Sequence, residues 1–163
     1  MFFLVCSDSH GRYERLIEVA RRHPDIGDMI FLGDGLSDLA PLREAFPRLR
    51  IRAVRGNCDG FSLLSHATPT EDRFKLFGHS VLLLHGDRFA VKYGTADMEE
   101  YAVRNECDLL LYGHTHIPEE RYVSGKGLHI LNPGSIGRSS DGRIRYGLVD
   151  ILPEGIVTSL ATI

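Results

Sequence analysis

No apolar stretch in this 163-residue chain approaches the roughly 20 residues that a membrane-spanning helix needs, so no membrane span is expected. Cysteine is scarce. Cys6, Cys58 and Cys107 are an odd number without paired spacing, which points to free thiols in a reducing cytoplasm rather than to a disulfide framework. Charge of one sign is lacking as well. The formal net charge is -3, and no long basic run or single-sign block occurs, so affinity for long nucleic acid or anionic membrane is not expected. Gly33-Asp34-Gly35 lacks the G-x-x-x-x-G-K-[ST] spacing of a phosphate-binding loop. Linkers, repeats and low-complexity segments are missing, and the length fits a single domain over 1–163. The opening "MFFLV" is apolar but short, without a basic flank or a small-residue cleavage site, and reads as a strand rather than a signal peptide.

What is present is an ordinary 43% of hydrophobic residues, enough for a sizeable core, in alternating strand-like and helix-like runs. Phe2–Ser7, Met29–Leu32 and Ile51–Val54 read as strands. Tyr13–His23 carries a helical stripe at Leu16, Ile17 and Ala20, and Leu39–Phe46 reads as a second helix. This alternation predicts βαβ units with a parallel sheet. From about Thr70 the texture changes. Phe74–Phe77, a Gly78-His79 turn and Val81–Leu84 predict a hairpin. A helix at Ala96–Asn105 leads to a strand at Leu109–Tyr112, and short strands fill Arg121–Ile163. Two stacked sheets with helices outside fit this order.

The polar residues of interest stand where apolar runs end. "FLVCSDSHG" ends in Asp8 and His10, "MIFLGDG" in Asp34, "IRAVRGNCD" in Asn57 and Asp59, "VLLLHGD" in His85, and "LLLYGHTH" in His114 and His116. In α/β sheets, ligands bind outside the carboxyl ends of the strands, so loops anchored there bring distant residues together. Four imidazoles, two aspartates and an asparagine carbonyl are too many for one tetrahedral ion. They suit two divalent ions sharing a carboxylate. The mixture without thiolate points to Mn²⁺ first, with Ni²⁺, Zn²⁺ or iron as the other candidates, rather than to Ca²⁺. Such ions, roughly 3.5–4 Å apart, activate a bridging water and clamp phosphoryl oxygens through an in-line displacement. On an extended segment His114 and His116 would share a face, while in a tight turn after Gly113 they would diverge towards the two ions. His23, His66, His79 and His129 fall outside these motifs and read as structural or surface residues.

The ordered set Asp8-x-His10, Gly33-Asp34, Gly56-Asn57-Cys58-Asp59, His85-Gly86 and Gly113-His114-Thr115-His116 resembles the calcineurin-like metallophosphoesterase superfamily over nearly the whole chain. The small size, Cys58 and Asn132-Pro133-Gly134-Ser135 look most like its compact YfcE-type phosphodiesterases. The resemblance implies a four-layer α/β/β/α sandwich of two mixed sheets and a dinuclear centre. Asp8, His10 and His116 would hold one ion, Asn57, His85 and His114 the other, and Asp34 would bridge. Asp59 would sit behind the ligands, where hydrogen bonds orient them and tune their basicity. The implied activity is hydrolysis of a small phosphoester, most readily a diester, by a hydroxide bridging the two ions.

Two positions depart from that pattern. Many relatives have a histidine where this chain has Cys58, a weak hydrogen-bond donor that otherwise reads as a small buried hydrophobe. Asp87 stands where close relatives often have the second histidine of "HGH". Arg12 could meet phosphate, although an exposed residue at a helix start explains it as well. Ser7 and Ser9 have no chemical task in this scheme. Two other readings compete. One is a non-catalytic scaffold resembling the small retromer subunit, which would be expected to have lost ligands that are intact here. The other is a 2′,3′-cyclic nucleotide phosphodiesterase or nuclease. A homo-oligomer stays open.

Overall fold

The computed structural model describes residues 1–60, 62–139 and 141–163. Its first half alternates as expected: β1 (Phe2–Cys6), α1 (Tyr13–Arg22), β2 (Asp28–Phe31), α2 (Leu39–Ala45) and β3 (Arg50–Ala53). A short helix, α3 (Leu63–Ala67), precedes the hairpin of β4 (Glu71–Leu76) and β5 (His79–Leu84). Then come α4 (Ala96–Arg104), β6 (Leu109–Leu111), β7 (Glu119–Val123), β8 (Leu128–Asn132), β9 (Arg145–Leu152) and β10 (Gly155–Thr162).

The strands form two five-stranded mixed sheets, ordered β10-β9-β1-β2-β3 and β4-β5-β6-β8-β7. Within the first, β1, β2 and β3 are parallel and β9 and β10 antiparallel to their neighbours. Within the second, β5, β6 and β8 are parallel and the edges β4 and β7 antiparallel. Side chains alternate across a strand, and the burial follows that period. Phe3 and Val5 of β1 meet Val81, Leu83, Leu109 and Leu111 between the sheets. Leu4 and Cys6 face the other way, onto Leu16 and Val19 of α1 and Leu39 and Leu42 of α2. On the far side, Leu82, Leu84 and Leu110 pack under Met98 and Ala102 of α4. This is the expected α/β/β/α sandwich, and its central strands β1, β2, β5, β6 and β8 are largely buried on both faces because both faces are covered, whereas the edge strands β3, β4 and β7 carry alternating exposed polar residues. No helix among the described residues is long and apolar enough to cross a membrane.

Two local expectations need correction. The hairpin turns at Phe77-Gly78, not Gly78-His79, and His79 already belongs to β5. Both turn residues have positive φ, 51° and 91°, as a two-residue primed turn requires. Asparagine would be the usual choice at the first position, so the phenylalanine hides the turn. α3 was not anticipated from the sequence. It has five residues, its Leu63 is 91% exposed, and no buried stripe marks it; Ser62 caps it by accepting from Ser65 N at 3.1 Å.

Candidate metal centre

The three parallel strands of the first sheet end in Asp8–His10, Asp34 and Asn57–Asp59. The parallel strands of the second end in His85, in His114–His116 and at Asn132. Backbone bonds tie neighbouring loops within each set: Asp8 N donates to Gly33 O at 2.9 Å, and Gly113 N to His85 O at 3.0 Å. Ile136 N and Gly137 N donate to Ser7 O and Asp8 O, both at 3.0 Å, tying the segment after β8 to the end of β1.

Two groups of donors result. Asp8, His10 and His116 form one, and Asp34, His85 and His114 the other, the candidate ligand atoms within each lying within 4.8 Å of one another. His10 Nε2 lies 3.2 Å from His116 Nε2, and His114 Nδ1 lies 3.2 Å from His85 Nε2. Asp8 Oδ1 is 3.1 Å from His116 Nε2, and Asp34 Oδ2 is 3.4 Å from His85 Nε2. Donors on one ion, each about 2.1 Å away, lie roughly 3.0–3.4 Å apart for octahedral to tetrahedral angles. The donor set therefore fits a divalent cation in each group. Asp34 also groups with His10 and Cys58, so it reaches towards both sides. The turn after Gly113 does separate its two histidines, His114 towards His85 and His116 towards His10.

Backbone strain is concentrated here. Among the described residues, eight non-glycine residues have positive φ, and five of them are Asp8, His10, Asp34, His114 and His116, at 46–68°. Left-handed backbone costs a side-chain-bearing residue of order 1 kcal/mol or more and persists where surroundings over-determine it. The surroundings do. A Cβ on Gly113 would overlap Ser7 Oγ and crowd Asp8 Oδ2, and one on Gly56 would overlap Asp34 Oδ1. Ser7 Oγ donates to Asp8 Oδ2 at 2.5 Å and His114 N to the same oxygen at 3.1 Å, which leaves Oδ1 for the histidines. His85 Nδ1 donates to Leu32 O at 2.6 Å, so its Nε2 carries the lone pair facing Asp34 and His114.

Among the described residues no hydrogen bond or ion pair joins Asp59 to an imidazole. Its carboxylate accepts from four backbone N–H groups: Asp34 at 2.9 Å, Gly35 at 2.7 Å, Leu36 at 2.8 Å and Gly56 at 2.7 Å. It is the knot that holds the Asp34 turn against the Gly56 turn. Cys58 is exposed, which corrects its reading as a buried hydrophobe. Its backbone N–H donates to Asp34 Oδ1 at 2.7 Å, and its sulfur accepts from Asn57 Nδ2 at 3.2 Å. Asn57 is exposed on the same turn, its side chain turned to this contact with Cys58. Arg12 is exposed at the start of α1. Asp87 lines a hollow beyond Asn57.

The charges respond to one another. Burial opposes ionisation of Asp34, but its contacts with His85 and the Cys58 N–H hold the carboxyl well below the usual range. Burial likewise opposes charge on His85, yet Asp34 and Asp8 raise its pKa overall. Burial and the neighbouring His85 lower that of His114. Partial desolvation on the turn, then Asp34 and Asp8, push the Cys58 thiol up to about 11.

Residues with no apparent task in the sequence brace the site. Asn132 Nδ2 donates to Gly113 O and to Thr115 Oγ1, both at 3.0 Å, and Ser135 Oγ donates to Asp8 O at 2.7 Å. Ser9 Oγ donates to Asp38 Oδ2 at 2.6 Å. The "NPGS" spelling was the only signal for the first two.

Comparison with known proteins agrees with this architecture. The model of the calcineurin-like phosphoesterase superfamily domain matches residues 1–153. Phosphodiesterase YfcE of Escherichia coli K12 is 34% identical over 173 aligned positions, covering 92% of this chain and 88% of that protein. A predicted phosphoesterase of Streptococcus pneumoniae TIGR4 superposes with a TM-score of 0.79 at 27% identity, over 99% of this chain and 88% of that one. Vacuolar protein sorting 29 of Cryptosporidium parvum shares the fold at 17% identity, with a TM-score of 0.73 over 99% and 97% of the two chains. The chain belongs to the calcineurin-like phosphoesterase superfamily.

Proposed function

We propose that the protein is a metal-dependent phosphodiesterase. Asp8, His10 and His116 would hold one divalent ion, Asn57, His85 and His114 a second, and Asp34 would be shared. The observation that supports this most is the convergence of two imidazole pairs on Asp8 and Asp34, with five of those six residues held in left-handed backbone. Mixed imidazole and carboxylate donors favour Mn²⁺, Ni²⁺, Zn²⁺ or iron. When bound, two such ions supply Lewis-acid charge for the phosphoryl oxygens and an activated water as nucleophile.

The chain's own residues do the rest. Ser7 and the His114 N–H fix one oxygen of Asp8 so that the other faces the site. The Cys58 N–H does the same for Asp34. Leu32 O holds the tautomer of His85. Asp59 sets the distance between the Asp34 and Asn57 turns through backbone amides alone. A thiol at position 58 is a weak donor to a leaving oxygen. A diester is favoured over a monoester because hollows lie on both sides of the turn that carries Asn57 and Cys58. One, of about 330 Å³, is lined by His10, Leu36, Cys58 and Leu64. The other, of about 320 Å³, is lined by Arg55, Asn57 and Arg88. Two substituents on phosphorus would each find one.

A scaffold is the second reading, favoured by the fold shared with vacuolar protein sorting 29. The full set of donors favours the enzyme. Protein reconstituted separately with Mn²⁺, Ni²⁺, Zn²⁺ and Mg²⁺ should hydrolyse bis(4-nitrophenyl) phosphate, and a chelator should stop it until metal is returned. Absence of turnover with every metal would sink the enzyme reading.

A further inference from the structure

The hollow beyond Asn57 is lined by Arg55, Asn57, Thr70, Asp87 and Arg88. Its arginines lack the carboxylate partner that half of the chain's arginines have among the described residues. Arg50, Arg52, Arg73, Arg104, Arg121 and Arg145 each pair with a carboxylate. Arg55 Nη1 donates only to Ser65 O, and Arg88 Nη1 only to Thr70 Oγ1, both at 3.2 Å; neither makes an ion pair among the described residues. Asp87 shares the hollow and is in no ion pair among them either. Two guanidinium groups against one carboxylate leave a surplus of one positive charge. The two arginines come from separate loops, one after β3 and the other in the turn after β5, so the fold aims them at one space. That space adjoins the turn bearing Asn57 and Cys58.

We infer that this hollow binds a second phosphate carried by one substituent of the substrate, so that the preferred substrates are phosphodiesters bearing a further phosphate. The inference rests on the phosphodiesterase reading. Guanidinium groups form paired, charge-assisted hydrogen bonds with phosphate oxygens, and most of the donors of both arginines are uncommitted. The Thr70 hydroxyl and the Asn57 amide add neutral donors. Asp87 weakens the attraction and limits how tightly a phosphorylated product is held.

A matched pair of substrates tests this: thymidine 5′-(4-nitrophenyl phosphate) with and without a 3′-phosphate. The metal-loaded protein should show a KM roughly tenfold lower for the 3′-phosphorylated compound, as a charge-assisted contact gives. In Arg88→Gln and in Arg55→Gln the ratio should shrink towards one, and in Asp87→Asn it should grow. Calorimetry provides a readout independent of turnover. Thymidine 3′,5′-bisphosphate should bind roughly tenfold more tightly than thymidine 5′-monophosphate, with the same dependence on Arg88. Equal KM values in the native protein, or a preference that survives both arginine substitutions, would overturn the inference. So would an Asp87→Asn variant that binds the bisphosphate more weakly, since the hollow would then be reading hydroxyl groups through the carboxylate. If neither diester is hydrolysed, the phosphodiesterase reading fails, while the affinity ratio still decides the inference.

Discussion

Asp59→Ala should loosen the site without removing a candidate ligand. The carboxylate accepts four backbone hydrogen bonds of 2.7–2.9 Å, three from the Asp34 turn and one from the Gly56 turn. A hydrogen bond to a charged group contributes about 1.5–3 kcal/mol when buried. Asp59 is only half-buried, so about 1 kcal/mol for each bond, or about 4 kcal/mol together, is the reasonable scale. For a chain of this size 1 kcal/mol moves Tm by about 2–4 °C, so a fall of roughly 8–16 °C is expected. Loss of a residue that orients ligands typically lowers metal affinity by about 10–100-fold. Asp59→Asn keeps the shape but turns its amide hydrogens towards two of the N–H donors, and it should fall between alanine and the native protein. Thermal unfolding of metal-free protein separates the stability effect from the metal effect, which Mn²⁺ titration then measures. An Asp59→Ala variant with native metal affinity and a Tm within about 2 °C of native would refute the reasoning.

Other consequences are as direct. Gly113→Ala would drive a Cβ into Ser7 Oγ and displace Asp8, so elemental analysis should show metal lost from the Asp8 side. Gly78→Ala is the control: its φ is +91° but nothing lies within 4 Å of the added carbon, so it should destabilise by about 1 kcal/mol and keep full metal content. A well-placed general acid contributes about 10²–10⁴-fold, so Cys58→His should raise kcat/KM on diesters of poorly acidic alcohols far more than on nitrophenyl diesters. An equal change along a series of graded leaving groups would mean that position 58 does not serve the leaving oxygen.

The sandwich was legible because its core strands are short apolar runs separated by helical stripes, and a run such as Leu109–Leu111 reads as buried wherever it falls. The candidate ligands were legible because each of these runs ends in one. What holds them was not. Asp59 bonds residues 23–25 positions away and Ser135 one 127 away, and such pairings arise only once the sheets have stacked. Asp34 looks in sequence like any turn aspartate, and nothing local announces its positive φ. Cys58 looked like a core thiol because free cysteine usually is one, but the turn holds it outward by spending its N–H on Asp34. Nothing in the sequence links Arg55 with Arg88, and only the fold brings them to one hollow.

The central claim, two divalent ions sharing Asp34, is tested most directly by elemental analysis of Mn²⁺-reconstituted native protein and Asp34→Ala, with diester hydrolysis measured on the same samples. The account predicts two equivalents per chain and turnover in the native protein, and at most one equivalent with no turnover in the variant. Two full equivalents in Asp34→Ala, or none in the native protein, would contradict it.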